Sequence, residues 1–158
     1  MQIEAVDLFC GVGGLTAGLI KSGIKVKAGY DIANECRFAY EHNNNAAFIL
    51  KDVAEVTSAE ILSWYSSGAI RLLAGCAPCQ PFSTYNQGKD TTKDKKWPLL
   101  YHFSRLIKEV EPELVTMENV PEVIRHKVYQ DFIEELQSLG YEVFSKEVIC
   151  TQYGIPQT

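Results

Sequence analysis

The sequence lacks any apolar run long enough to cross a membrane, because its longest apolar stretches have only the length of a strand. It also lacks the basic start and the long apolar segment of a secretory signal, so we expect a cytoplasmic protein with no membrane partner. No low-complexity tract is present, and 46% hydrophobic and 22% charged residues are ordinary globular values. The 158 residues therefore predict one domain with a core of its own.

An excess of positive charge is missing as well. The formal net charge of -5 argues against a protein that holds nucleic acid by bulk electrostatics, since phosphate binding needs clustered Lys and Arg. Residues 89–96 (KDTTKDKK) are a local exception, with four Lys against two Asp. A solvated loop is the simpler interpretation of such a run, and contact with phosphate is the alternative.

Cysteine spacings that would predict a disulfide framework are also absent. The five cysteines form an odd set, and in a reducing compartment we expect them to be thiols: Cys10, Cys36, Cys76, Cys79 and Cys150. No second C-x-x-C and no suitably spaced His pair accompanies the CAPC stretch, which argues against a structural zinc site. A redox pair would open a helix directly after the first unit of a small fold, whereas CAPC enters a long polar loop.

What the sequence does contain is a regular alternation of strand and helix patterns. Strands are predicted at 3–9, 25–31, 46–50, 70–76, 113–119 and 141–149, and helices at 15–23, 33–43, 59–68, 99–112 and 129–140. Ser58 is the predicted N-cap of the third helix. This order predicts an α/β fold with a doubly wound, mostly parallel sheet covered on both faces.

In such folds ligands bind beyond the carboxyl ends of the strands. The Gly-rich turn DLFCGVGG lies at such an end, and its glycines would let the backbone approach a ligand, although any tight turn between strand and helix would look similar. Asp31 fits an acceptor for ribose hydroxyls, or else a helix cap. Asp52 fits a contact to an adenine amino group, or else a solvated turn. Together they suggest a nucleoside ligand with a charged tail.

Two further strand ends carry groups suited to nucleophilic chemistry. Cys79 lies in a turn from strand to loop, where backbone N–H groups favour a thiolate, while Cys76 is still on the strand and is expected to be a small core residue. The neighbouring strand ends at Glu118-Asn119. We expect the Glu118 carboxyl to pack beside Val115, Met117 and Val120 and to act as a general acid, with a turn-forming pair as the alternative.

Four stretches occur in the order and approximate spacing of known motifs: DLFCGVGGLTAGL, APCQPFS, MENVPEV and QYGIPQT. In these the chain resembles the first half of a DNA cytosine-5 methyltransferase. The resemblance covers residues 1–158 and implies a partial catalytic domain with a Rossmann-like methyltransferase fold, incomplete at its C-terminal side and without the target-recognition domain. It also implies S-adenosylmethionine as cofactor, S-adenosylhomocysteine as product, and a flipped cytosine of double-stranded DNA as substrate.

The resemblance also implies roles for individual residues. Cofactor-binding positions carried over by motif are Phe9, Cys10, Gly11, Gly13, Gly14, Asp31, Ile32, Asp52, Val53, Pro78 and Leu99. Cys79 would add to cytosine C6, and Glu118 would hydrogen-bond N3 and the exocyclic amine while C5 takes the methyl group. Residues 80–97 resemble a mobile segment that closes over DNA.

The sequence departs from the family pattern where it stops, at Thr158 inside QYGIPQT. The family's next strand, which lies between the fifth and sixth strands, is missing. We therefore expect exposed sheet edges, and either a truncated product or one subunit of a split enzyme whose second chain carries the recognition region. Cytosine-5 methylation of tRNA, an inactive cofactor-binding remnant, an interaction module and a thiol oxidoreductase are the competing functions.

Overall fold

The computed structural model describes residues 1–78 and 98–156. In these two ranges, five parallel strands form one sheet in the order β3-β2-β1-β4-β5. The strands are β1 (Ile3–Leu8), β2 (Lys25–Asp31), β3 (Ala47–Leu50), β4 (Ile70–Gly75) and β5 (Leu114–Met117). The predicted fold class is confirmed, since a helix follows each strand and the sheet is parallel.

Within the described ranges, five α-helices connect and cover the strands. They are α1 (Gly14–Lys21), α2 (Arg37–Asn44), α3 (Ser58–Trp64), α4 (Pro98–Val110) and α5 (Lys127–Ser138). Short 3-10 turns lie at Asn34–Cys36, Val53–Glu55, Pro121–Arg125 and Cys150–Tyr153. Among the described helices, none is long and apolar enough to span a bilayer.

The sheet buries side chains on both faces because successive residues of a strand point to opposite sides. On one face Val6 and Leu8 join a large core with Phe103 of α4 and Phe132 of α5. On the other face Ala5 belongs to a separate, smaller cluster. Near-continuous apolar runs such as LLAG in β4 follow from this two-sided burial.

The register of the sheet aligns the carboxyl ends of its central strands. Leu8 at the end of β1 lies opposite Gly75, and Gly75 lies opposite Met117 at the end of β5. Residues that follow these positions therefore emerge along one edge of the sheet. Among the described residues, every site residue that was predicted to follow a strand lies at this edge.

The predicted sixth strand is wrong, since residues 141–149 hold no strand in the structure. Tyr141 donates a hydrogen bond to the Pro112 carbonyl, and beyond it a groove separates this segment from β5. A strand needs a neighbour whose backbone groups pair with its own, and the described residues offer none here. Phe144, Val148 and Ile149 remain exposed.

The cap of α3 also differs from the prediction. Thr57 is the N-cap, not Ser58: the Glu60 amide donates to the Thr57 hydroxyl at 3.3 Å, and the Thr57 amide donates to the Glu60 carboxylate at 2.9 Å. This reciprocal pair is a capping box. Ser58 is the first residue of the helix.

Candidate functional site

The Gly-rich turn after β1 folds tightly against α2. Gly13 has φ 91°, and a Cβ there would collide with the side chains of Asn44 and Tyr40. Only glycine tolerates both that backbone conformation and that approach. A Cβ on Gly11 or on Gly14 would meet nothing within 4 Å, so the outer side of the turn borders open space.

Asp31 ties the end of β2 to this turn. Its carboxylate accepts hydrogen bonds from the Gly11 amide and from the Ala33 amide, both at 2.8 Å. The bond from Ala33 agrees with the alternative of a local turn, while the bond from Gly11 places the acid beside the Gly-rich turn. Each oxygen keeps a lone pair for a ligand. The next residue, Ile32, has 70% of its surface exposed, although it is apolar.

Asp52 follows the adjacent strand. It is exposed and accepts a hydrogen bond from the Ala54 amide at 2.9 Å, which caps the 3-10 turn. Val53 is buried in the core, so its expected contact with a ligand would have to come from its backbone. The Lys51 amide donates to the Asp31 carbonyl at 3.0 Å, which brings the two acid-bearing strand ends side by side.

An arginine of α4 holds the backbone of the 3-10 turn Val53–Glu55 in place. Arg105 donates to the carbonyls of Val53 at 3.3 Å, Ala54 at 3.5 Å and Val56 at 3.0 Å. Three carbonyl acceptors on one guanidinium fix the backbone of the segment. No local sequence pattern predicts this contact, because Arg105 lies about fifty residues away along the chain.

A buried acid lies beneath the Gly-rich turn. Asp7 in β1 is fully buried, accepts a hydrogen bond from the Thr16 hydroxyl at 2.6 Å, and has a second oxygen, Oδ1, without a partner in the described residues. Burial raises the pKa of Asp7 to about 6, and the nearby Asp31 adds a smaller effect. Sequence reasoning missed it, although an acid within an apolar strand is itself an unusual signal.

The Thr16 hydroxyl also lies 3.1 Å from the hydroxyl of Tyr40. Burial raises the pKa values of Tyr40 and Cys10 well above their usual ranges. Cys10 points into a small core with Tyr40 and Phe48. Its side chain is therefore unavailable to a ligand, and only its backbone borders the turn.

The other half of the edge is formed by the ends of β4 and β5. Cys76 is half-buried and follows β4, so the expectation of a core cysteine is wrong. Its thiol donates to Glu118 Oε2 at 2.8 Å. Glu118 is exposed rather than packed among apolar side chains, which corrects the environment expected for it. The Asn119 side-chain amide donates to the Ala77 carbonyl at 3.1 Å.

The remaining predicted site residues form two groups: those that the structure describes and those that lie outside the described residues. Phe9, Pro78 and Leu99 are each partly buried, at the end of β1, after β4 and at the start of α4. Cys79 and residues 80–97, with their lysines, lie outside the described residues. In the part of the chain that is described, no three His, Cys, Asp or Glu side chains are grouped so as to hold a metal ion.

The chain is similar in sequence to known DNA methylases. The family model described as C-5 cytosine-specific DNA methylase matches residues 3–158. The Type II methylase M.HgiDII of Herpetosiphon aurantiacus is 50% identical over 155 residues, which are 96% of this chain and 43% of that protein. The Type II methyltransferase M.FnuDI of Fusobacterium nucleatum is 29% identical over 158 residues, covering 98% of this chain and 44% of that protein.

A solved structure shares the fold. The Entamoeba histolytica methyltransferase EhMeth matches with a TM-score of 0.72 at 19% identity, over 87% of this chain and 44% of that one. The chain thus spans less than half the length of each protein compared.

Proposed function

The chain belongs to the C-5 cytosine-specific DNA methylase family, and on that premise we propose that it carries the cofactor-binding and catalytic part of an enzyme that methylates cytosine C5 in DNA. The observation that supports the proposal best is the shared edge of the sheet. A glycine turn with open space beside it, two adjacent acids and the Cys76–Glu118 pair all follow strand ends there. Binding beyond such ends is the rule for this class of fold.

The residues at the carboxyl ends of β1, β2 and β3 fit S-adenosylmethionine. Asp31 and Asp52 keep free lone pairs for hydroxyl and amino donors, Ile32 exposes an apolar surface to a flat ring, and the turn leaves room where side chains would stand. The residues proposed to hold the cofactor are Phe9, Cys10, Gly11, Gly13, Gly14, Asp31, Ile32, Asp52, Val53, Pro78 and Leu99. When bound, S-adenosylmethionine supplies an electrophilic methyl group.

The proposed chemistry uses Cys79 and Glu118. Cytosine C5 is a poor nucleophile, so the Cys79 thiolate first forms a bond to C6 and pushes electron density onto C5. Glu118 acts in its protonated form: it donates its proton to N3, accepts a hydrogen bond from the exocyclic amine, and so neutralises the negative charge that the addition creates on the base. C5 would then take the methyl group of bound S-adenosylmethionine while the bond from that methyl carbon to sulfur breaks, which would leave S-adenosylhomocysteine. Transfer of the C5 proton to water, return of the N3 proton to Glu118 and departure of the thiolate then restore the aromatic ring.

We also propose a partner for the open side of the sheet, a strand from a polypeptide that carries the recognition region. In the described residues β5 pairs only with β4, and its other side borders a groove of about 540 Å³. The groove is lined largely by apolar side chains, among them Leu114, Val115, Met117, Phe132, Leu136 and Val143. An unpaired strand edge above an apolar floor favours addition of another strand.

The cofactor proposal is tested by calorimetry. S-adenosylmethionine is titrated into the chain and into Asp31→Asn, with Glu55→Gln as a control because Glu55 is an exposed acid on the 3-10 turn. Asp31→Asn should bind about tenfold more weakly, since it loses a charged acceptor. If Asp31→Asn binds S-adenosylmethionine as tightly as Glu55→Gln does, the result counts against the proposed pocket.

Methyl transfer tests the activity. Labelled methyl incorporation is measured with duplex DNA and with tRNA, with and without the part of M.HgiDII that lies outside the matched region. Incorporation into DNA supports the proposal, and its dependence on the added part supports the strand partner. Transfer to tRNA alone, or cofactor binding with no transfer under any of these conditions, would refute it.

A further inference from the structure

The backbones that follow β4 and β5 are held together beyond the last paired residues. The Glu118 amide donates to the Gly75 carbonyl at 3.1 Å, and the Cys76 amide donates to the Leu8 carbonyl at 3.2 Å. Gly75 itself lies opposite Met117 in the sheet. Cys76 and Glu118 therefore start from fixed positions on neighbouring strands.

Their side chains meet across the two strands. The Cys76 thiol donates to Glu118 Oε2 at 2.8 Å, and within the described part of the chain this is the one hydrogen bond that the carboxylate accepts. A second bond crosses nearby, from the Asn119 side chain to the Ala77 carbonyl at 3.1 Å. Glu118 is exposed, so without the thiol its long side chain would sample several rotamers.

We propose that Cys76 is a positioning residue, whose thiol holds Glu118 Oε2 and leaves Oε1 available to the cytosine base. This inference rests on the proposed function for its catalytic meaning, while the contact itself can be tested without it. Cys76 forms no bond to substrate in this account. A serine keeps a donor at the same position, whereas an alanine removes it.

The contact is tested by the alkylation of Cys76 with iodoacetamide, followed at neutral pH. A carboxylate that accepts the thiol proton disfavours the thiolate, which is the reactive form. Glu118→Gln should therefore speed alkylation of Cys76 about tenfold, since a hydrogen bond to a charged group is lost. Fragment ions distinguish Cys76 from Cys79, which lies on the same tryptic peptide.

Glu122→Gln is the matched control, because it removes one carboxylate four residues further along the chain, in the 3-10 turn Pro121–Arg125. An unchanged rate in Glu118→Gln, or an equal increase in Glu122→Gln, overturns the contact. This result does not depend on any methyl transfer.

The positioning role is tested by kinetics. Cys76→Ala should lower kcat about tenfold without raising the KM for S-adenosylmethionine, and Cys76→Ser should restore kcat to within about threefold of wild type. An unchanged kcat in Cys76→Ala, or a loss in Cys76→Ser as large as in Cys76→Ala, overturns the role. Absence of methyl transfer by the wild-type chain, both with and without the added part of M.HgiDII, overturns the proposed function instead, and alkylation then decides the contact alone.

Discussion

Replacing Asp7 by Asn should stabilise the protein at neutral pH. Asp7 is fully buried, and one of its oxygens has no partner in the described residues. At neutral pH the folded protein must therefore hold a poorly solvated charge. Asn keeps an acceptor for the Thr16 hydroxyl and removes the charge.

The magnitude follows from linkage. Burial raises the pKa of Asp7 from 3.8 to about 6, so between these values the folded state binds more protons than the unfolded state. The contribution of Asp7 to stability is therefore most favourable below about pH 4 and is lost as pH rises through 6. A shift of about two units corresponds to about 3 kcal/mol, which is an upper value for the gain in Asp7→Asn at pH 7.

The assay is thermal unfolding of both proteins at pH 4.0, 5.0, 6.0 and 7.0 (~one-unit steps across the titration of Asp7). The Tm difference should be near zero at the lowest pH and should grow to about 6–12 °C at neutrality. The titration of the other carboxylates does not contribute to the Tm difference, because both proteins contain them. The exposed Glu55→Gln variant should show no such increase of the Tm difference with pH. A difference that is constant with pH, or that shrinks as pH rises, would refute the reasoning.

Three further outcomes follow from the described contacts. Thr57→Ala should lower the free energy of unfolding by about 1 kcal/mol, and Ser58→Ala should change it by less than about half of that, as measured by urea unfolding. Arg105→Met should weaken binding of S-adenosylmethionine about threefold or more by freeing the 3-10 turn, whereas Lys108→Met on the same helix should not, as calorimetry will show. Gly13→Ala should lower Tm by at least about 5 °C, because a methyl group collides with α2 and the positive φ is strained.

Each of these has an outcome that contradicts it. Equal losses at the two capping positions would argue that the helix begins elsewhere. Equal cofactor affinity in the two α4 variants would show that the guanidinium contacts do not support the pocket. A Gly13→Ala protein as stable as wild type would mean that the turn does not pack against α2 as described.

Much of the fold could be predicted from local patterns. Alternating strand and helix signals were enough to give the parallel sheet, and the rule about strand ends was enough to bring Asp31, Asp52 and Glu118 to one edge. The capping error was avoidable, because Thr57 is followed three residues later by Glu60, the spacing of a capping box. Ser58 was the poorer candidate, since no acid follows it at that distance.

The other differences depend on contacts distant in sequence. Residues 141–149 (YEVFSKEVI) are rich in aromatic and β-branched side chains, as strands are, yet a strand forms only where a neighbour pairs with it. The role of Asp7 depends on Thr16, which a helix brings beneath the turn. The bond between Cys76 and Glu118 depends on the register of β4 and β5, which no local pattern encodes.

Covalent capture tests the proposed mechanism most directly. Duplex DNA containing 5-fluorocytosine is incubated with S-adenosylmethionine, the chain and the added part of M.HgiDII. Protein–DNA complexes that survive denaturation are then quantified by gel electrophoresis. The fluorine at C5 blocks proton loss, so the bond to the enzyme should persist in the wild type and in Cys76→Ser and should disappear in Cys79→Ser. A complex that survives in Cys79→Ser, or none in a wild-type protein that binds both cofactor and DNA, would contradict the mechanism.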